Sequence, residues 1–159
     1  MTSPFIVREA EGTADMDAVR RLVLAHADAR GTTPGVEQIR ADAVRLPGPY
    51  VPPRGGIWIA VAGDSVIGCV ALQPLPAGVG EVKRMFVDEE WRGRGVGRAL
   101  LERLVESART RGHREIRLGT LPEMIEAQTL YRSVGFVPIA AYRSAEIGHP
   151  LFFSLALGE

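Results

Sequence analysis

Hydrophobic positions along the chain change period several times, and each change marks an element. Phe5, Ile6 and Val7 form a short apolar, β-prone run that predicts a first strand. From Asp15 to Ala29 the period lengthens. Val19, Leu22, Val23 and His26 fall three or four apart, the spacing of one helix face, and Gly31 stops the helix. A shorter helix is predicted over Val36 to Leu46. Ile57 to Ala62 and Ser65 to Leu72 read as strands joined at Gly63-Asp64, a hairpin turn signal. Gln73 to Gly80 is a Pro/Gly break, and Glu81 to Asp88 (EVKRMFVD) is a further strand. Gly95 to Arg111 carries the strongest amphipathic pattern. Val96, Leu100 and Leu104 form one i, i+4 line, Leu101, Val105 and Ala108 lie beside it, and Arg111-Gly112 ends it. Glu115 to Leu118 is a strand, and Pro122 to Val134 a helix closed by Gly135. Phe136 to Ala141 and Leu151 to Leu157 are the last strands. The order βααββ, βαβα, ββ requires a mixed sheet with helices packed on it, an α/β or α+β domain.

Between the second helix and the second strand lies Pro47 to Gly56 (PGPYVPPRGG), with four prolines and three glycines. It can be neither helix nor central strand. Two readings stand: a plain connection, or a rigid loop bordering a substrate cleft.

Size and charge narrow the function classes. A chain of 159 residues favours a single domain over residues 1–159. Hydrophobic residues make up 46% and charged residues 24%, the range of an ordinary globular domain, which argues against a disordered chain or a disulfide scaffold. Nineteen Lys and Arg balance nineteen Asp and Glu, which argues against a general nucleic-acid or membrane-surface binder. Neither a signal peptide nor an apolar run of bilayer length is visible, and the single cysteine, Cys69, fits a cytoplasmic location. Cys69 reads as a small buried hydrophobe in preference to a reactive thiol.

The chemistry concentrates in Arg92-Gly93-Arg94-Gly95-Val96-Gly97-Arg98, between a strand and the strongest helix. Alternate glycines let a backbone approach a ligand closely, and the first turn of a helix offers unpaired N–H groups and a positive dipole end. With three arginines around it, this is a natural seat for a diphosphate. The spacing is neither G-x-G-x-x-G nor a Walker A loop. The other reading of the segment on its own, a flexible glycine-rich surface turn, is the weaker of the two.

Its context decides. Glu81 to Leu101 (EVKRMFVDEEWRGRGVGRALL) resembles the coenzyme-A-binding motif of the GNAT superfamily of N-acetyltransferases, a strand followed by R/Q-x-x-G-x-G/A and a long helix. Arg92, Gly95 and Gly97 fall on its fixed positions. Leu130 to Phe136 (LYRSVGF) resembles the family's L-Y-x-x-x-G-F segment, and the order of elements agrees over nearly the whole chain. The resemblance implies a mixed, mostly antiparallel sheet of about seven strands, helices on both faces, and a V-shaped cofactor cleft where one strand splays from its neighbour. It implies acetyl-CoA as cosubstrate and no metal. Pantetheine would lie along Met85, Phe86 and Val87, bonded by the backbone of Met85 and Val87. The pyrophosphate would sit on the N–H groups from Arg92 through Gly93, Arg94, Gly95, Val96 and Gly97 to Arg98.

Two catalytic roles follow from the same resemblance. Glu81 stands where some members place a general base. Its other reading is an exposed strand-end carboxylate paired with Lys83 or Arg84. Tyr131 matches the tyrosine that often protonates the departing sulfur. Its other reading is a helix aromatic packed on the sheet. An unperturbed pKa near 10 suits a donor. His26 is assigned a structural or surface role, His113 a surface one and His149 a structural one. No His/Cys spacing resembles a zinc site. The expected reaction is direct transfer of acetyl from acetyl-CoA to an amine, preferably on a small molecule. The rivals are a protein N-terminal or lysine acetyltransferase and an acyl-CoA-binding module without turnover. Acceptor determinants are expected in the N-terminal helices, the Pro47 to Gly56 loop and the Ser144 to Pro150 loop. A homodimer is compatible with the resemblance.

Overall fold

The computed structural model describes residues 4–33, 35–143 and 150–158. Seven strands form one sheet: β1 (Ile6–Glu9), β2 (Gly56–Ala62), β3 (Ser65–Leu75), β4 (Val79–Val87), β5 (Glu115–Thr120), β6 (Val137–Ile139) and β7 (Leu151–Ala156). Four helices accompany them: α1 (Gly12–Arg30), α2 (Val36–Arg45), α3 (Val96–Thr110) and α4 (Ile125–Val134). The spatial order is β1-β2-β3-β4-β5-β7-β6. Every neighbouring pair is antiparallel except β4 with β5.

The period-two alternation of the strands divides the core into two layers. Trp58, Ala60, Val70 and Leu72 face Leu100, Leu101, Leu104 and Ala108 of α3, with Tyr131 of α4 in the same layer. Ile57, Ile59, Cys69 and Ala71 face Val19, Leu22, Val23 and Ala27 of α1 and Ile39 of α2. The stripes read from the sequence are therefore the faces that become buried. Cys69 is buried, its thiol pushed up to about 12 by desolvation, as expected of a small hydrophobe.

Three sequence expectations change. The Pro/Gly break at Gln73 to Gly80 is mostly strand. β3 runs to Leu75, β4 begins at Val79, and Pro74 sits opposite Gly80, so the turn shrinks to Pro76–Gly78. Arg114 closes that turn, its N–H donating to the Gly78 carbonyl at 2.7 Å and its Nε to that of Ala77 at 2.8 Å. The sixth strand is only three residues long. His113 is buried, not superficial: its Nε2–H donates to the Arg54 carbonyl at 2.8 Å. That bond satisfies an imidazole which burial alone would penalise.

Two irregularities in β4 create the site. Pairing with β5 covers only Val79 to Glu81 against Glu115 to Arg117. Beyond Glu81 the two strands part. On the other side, Arg84 and Met85 together oppose the single residue Val70 of β3, which makes a β-bulge, and Arg84 takes φ 54°. The extra residue shifts the alternation. Val82, Met85 and Val87 face the α3 layer, whereas Phe86 packs into the α1–α2 layer.

Candidate active site

Where β4 and β5 part, a cleft of about 840 Å³ opens at their carboxyl ends. Open α/β sheets hold ligands in this position, and the volume is that of a small-molecule site. One wall is the end of α1 and the segment leading into α2, from His26 to Ile39. The floor is Val82 to Met85 of β4 and Gly119 to Leu121 at the end of β5. Met124, Tyr131, Arg143 and Pro150 complete it.

Tyr131 is buried in the second core layer, its ring 5.9 Å from that of Phe136 and 6.5 Å from that of Phe153. It also lines the cleft. Both roles read from the sequence are thus compatible with its position, because the ring packs while the residue borders the cavity. Burial pushes its hydroxyl up to about 12.

Glu81 departs from its expected setting. It is buried, not exposed at a strand end, and Arg84 is not its partner. Its Oε2 accepts from the Tyr142 hydroxyl and, at 3.1 Å, from Nε of Arg143, while Lys83 Nζ lies 3.4 Å from Oε1. Glu81 does not line the cleft; Lys83 and Arg143 do. Arg84 pairs with Asp42 of α2 at 2.8 Å, and the same Asp42 oxygen accepts from the Tyr50 hydroxyl at 2.8 Å. Tyr50 belongs to the Pro47 to Gly56 loop. That loop does not border the cleft, yet through Tyr50 and Asp42 it supports a residue that does.

His26 is a cleft residue that the sequence reading set aside. Its ring lies 4.9 Å from that of Phe86. Desolvation first, then the charges of Arg30, Arg84 and Arg92, bring its pKa down to about 4, so it is neutral at pH 7. Asp42, Tyr50, Tyr142 and Arg143 carried no local pattern. Their partners lie 8 to 62 positions away.

The residues expected to hold a cofactor divide by face. Met85 lines the cleft, and Phe86 turns its ring into the α1–α2 core. The Val87 carbonyl accepts from Arg92 Nε at 3.2 Å, and the Arg92 guanidinium lies 5.6 Å from the Phe86 ring centre. Arg94 lies over Trp91 at 5.0 Å. Arg98 Nη2 donates to Ser133 Oγ at 2.5 Å, so the two sequence motifs meet. Gly95 is the N-cap of α3, with φ 84° and no side-chain cap, while Val96 is buried in the core. A Cβ on Gly97 would meet nothing nearer than Leu130 Cδ2 at 3.4 Å. The first turn of α3 therefore presents backbone N–H groups without a capping side chain, next to the outer end of β4. This fits an anionic group such as a pyrophosphate.

His149 and Ser144 to His149 of the expected acceptor loop lie outside the described residues; Pro150, at the loop's end, lines the cleft. Among the described residues no group of three or more His, Cys, Asp or Glu is placed to hold a metal ion, and no helix is long and apolar enough to cross a membrane.

Comparisons with known proteins bear on the family and the fold. The family described as the Acetyltransferase (GNAT) domain matches residues 53–138. N-acetylaspartate synthetase of Danio rerio is 34% identical over 100 residues, 62% of this chain and 36% of that protein. The chain spans about half or less of the length of the first curated relatives it matches. Among solved structures, a GNAT acetyltransferase from Staphylococcus aureus Mu50 superposes with a TM-score of 0.81 at 20% identity, covering 96% of this chain and 99% of that one. The yncA protein of Salmonella typhimurium, solved with acetyl-CoA, gives 0.72 at 21% identity over 99% of this chain and 96% of that one. The latter two likenesses concern the fold.

Proposed function

From the premise that the chain belongs to the GNAT acetyltransferase family and is an acyltransferase, we propose that it moves acetyl from acetyl-CoA directly onto the amine of a small molecule. One observation carries this reading. The open edge of β4 runs from the uncapped N-terminus of α3 to a cleft bordered by Tyr131.

In this reading the N–H groups of Gly93 to Arg98 receive the pyrophosphate; that of Arg92, expected among them from the sequence, is instead donated to the Glu89 carbonyl at 3.3 Å. The free edge of β4 at Met85 and Val87 accepts pantetheine as an added strand, so the thioester lies near Tyr131. The acceptor enters from the α1–α2 side. Attack of a neutral amine on the thioester carbonyl forms the C–N bond, and the C–S bond breaks as the thiolate leaves. A hydroxyl held at a pKa of about 12 is always protonated at pH 7. It is also a weaker acid than a thiol of pKa about 8.5. Tyr131 therefore acts as a hydrogen-bond donor to charge developing on sulfur, and water completes the protonation. The amine proton must also leave. Glu81 is the proposed base, and its burial behind Arg143 means that it works through Tyr142 or a water molecule.

A small acceptor is supported by the modest cleft and by the name of a relative that makes N-acetylaspartate. The test is calorimetric titration with acetyl-CoA, followed by thiol release with a panel of amines. Binding and amine-dependent release are expected. No binding at millimolar acetyl-CoA overturns the reading. Binding without release for any amine or peptide would leave an acyl-CoA-binding module.

A further inference from the structure

Two cleft arginines are built in the same way. Arg84 Nε and the Tyr50 hydroxyl converge on one oxygen of Asp42, each at 2.8 Å. Arg143 Nε and the Tyr142 hydroxyl converge on one oxygen of Glu81. In each trio the carboxylate is buried, in the first together with Tyr50, and the guanidinium is the member that reaches the cleft wall. Anchoring through Nε fixes the plane of the guanidinium without using its Nη edge, the fork that matches a planar oxyanion. Arg30 and Lys83 line the same cleft, with Glu37 the acidic residue on its wall.

Arg84 also holds a left-handed backbone conformation, φ 54°, which is strained for a non-glycine residue. Such strain persists where the surroundings over-determine it. Here the bulge, the Cys69 Sγ–Arg84 carbonyl contact at 3.4 Å and the Asp42 pair all hold it. The outcome is one more cation in a cleft that already crowds like charges. Burial, and next the charge of Arg84, lower the Arg30 pKa from its ordinary value. The phosphates of the cosubstrate have their own seat at the start of α3, outside this wall.

We infer that the acceptor is an amine that itself carries an oxyanion, held by the paired forks of Arg84 and Arg143 while its amine faces the thioester. This rests on the transferase reading above and names its substrate class. A carboxylate and a phosphate share the required chemistry, and the experiment separates them.

The experiment uses the full chain. Acetyl-CoA binding is measured first by calorimetry. Thiol release is then measured with the twenty α-amino acids, their amides, O-phosphoethanolamine and spermidine. The expected result is turnover of at least one anionic amine. Its neutral amide should have a kcat/KM lower by about 10- to 100-fold, the worth of charge-assisted hydrogen bonds. Preference for O-phosphoethanolamine over every amino acid would place a phosphate in the forks. Acetyl-CoA binding with spermidine or the amides used as well as, or in place of, the anionic amines overturns the inference and leaves the transferase reading standing; acetyl-CoA binding with no amine used overturns both. No acetyl-CoA binding overturns both. The double variant Asp42→Asn/Arg84→Gln leaves no bare buried charge. It should raise the KM for the anionic amine at least about tenfold with unchanged acetyl-CoA affinity. An unchanged KM in a folded double variant also overturns the inference.

Discussion

At the scale of single residues, Tyr131 and Glu81 make opposite demands on experiment. The Tyr131 ring packs on Phe136 and Phe153. Tyr131→Phe keeps that packing, so the melting temperature should stay within a few degrees of wild type. A donor to the leaving sulfur acts only as charge develops, so kcat should fall by about 10- to 100-fold with acetyl-CoA affinity unchanged. Unchanged turnover would reduce Tyr131 to a core aromatic. Glu81 is tied to Arg143, so loss of activity in Glu81→Gln is ambiguous by itself. The split between kcat and KM separates the roles. A base lost from the reaction lowers kcat with the acceptor KM nearly unchanged, whereas a lost anchor for Arg143 raises the acceptor KM with kcat nearly unchanged. Tyr131 was legible in the sequence because it sits in a local motif. The anchors were not. Asp42 meets Arg84, and Glu81 meets Tyr142, only because a sheet brings distant positions together. A buried carboxylate in a strand looks like an exposed one until its partners are known.

At the scale of elements, the helix stripes, the hairpin at Gly63-Asp64 and the strand–loop–helix unit were readable from period and turn chemistry alone. Pro74 and Gly80 misled because they punctuate most sequences, whereas here they face each other across a strand pair. Neither the bulge at Arg84 nor the early end of β4–β5 pairing has a residue signature, since arginine has no preference for positive φ. The α3 N-terminus gives the cleanest test of an element. Gly95 has positive φ, so any side chain there strains the backbone. Gly97 does not share that handicap, and its Cβ position is at ordinary contact distance from Leu130. Gly97→Asp should therefore fold, with a melting temperature close to wild type. It puts a carboxylate on the first turn of α3. Calorimetry should show acetyl-CoA affinity reduced by about a hundredfold or more, because the side chain occupies the anion seat and repels the phosphates. Full affinity in the folded variant would move the phosphates elsewhere.

At the scale of the whole molecule, the cleft couples the chain's stability to pH through His26. The imidazole sits between α1 and Phe86, and burial plus the Arg30, Arg84 and Arg92 charges hold its pKa at about 4 against an ordinary 6.5. In the unfolded chain it takes up a proton as the pH falls through 6.5, and in the folded chain only near 4. Between those values the unfolded state binds more protons, so stability rises with pH across the window and is lost on acidification. Partial exposure to solvent limits the effect to about 1–2 kcal/mol, less than the full shift of about 1.4 kcal/mol per unit would give. For a domain of this size that is a fall of roughly 3–8 °C in melting temperature between pH 7 and pH 4.5. His26→Gln has no group that titrates there, so its melting temperature should fall by less over the same range, and the difference between the two curves isolates His26. An oxyanion-bearing acceptor bound between Arg84 and Arg143 would offset part of the positive field and raise the His26 pKa. Saturating acceptor should then flatten the wild-type curve toward that of the variant, beyond the uniform upward shift that any ligand gives. Parallel wild-type and His26→Gln curves would show that the ring is not held neutral by its surroundings, and the cationic character assigned to this wall of the cleft would have to be withdrawn.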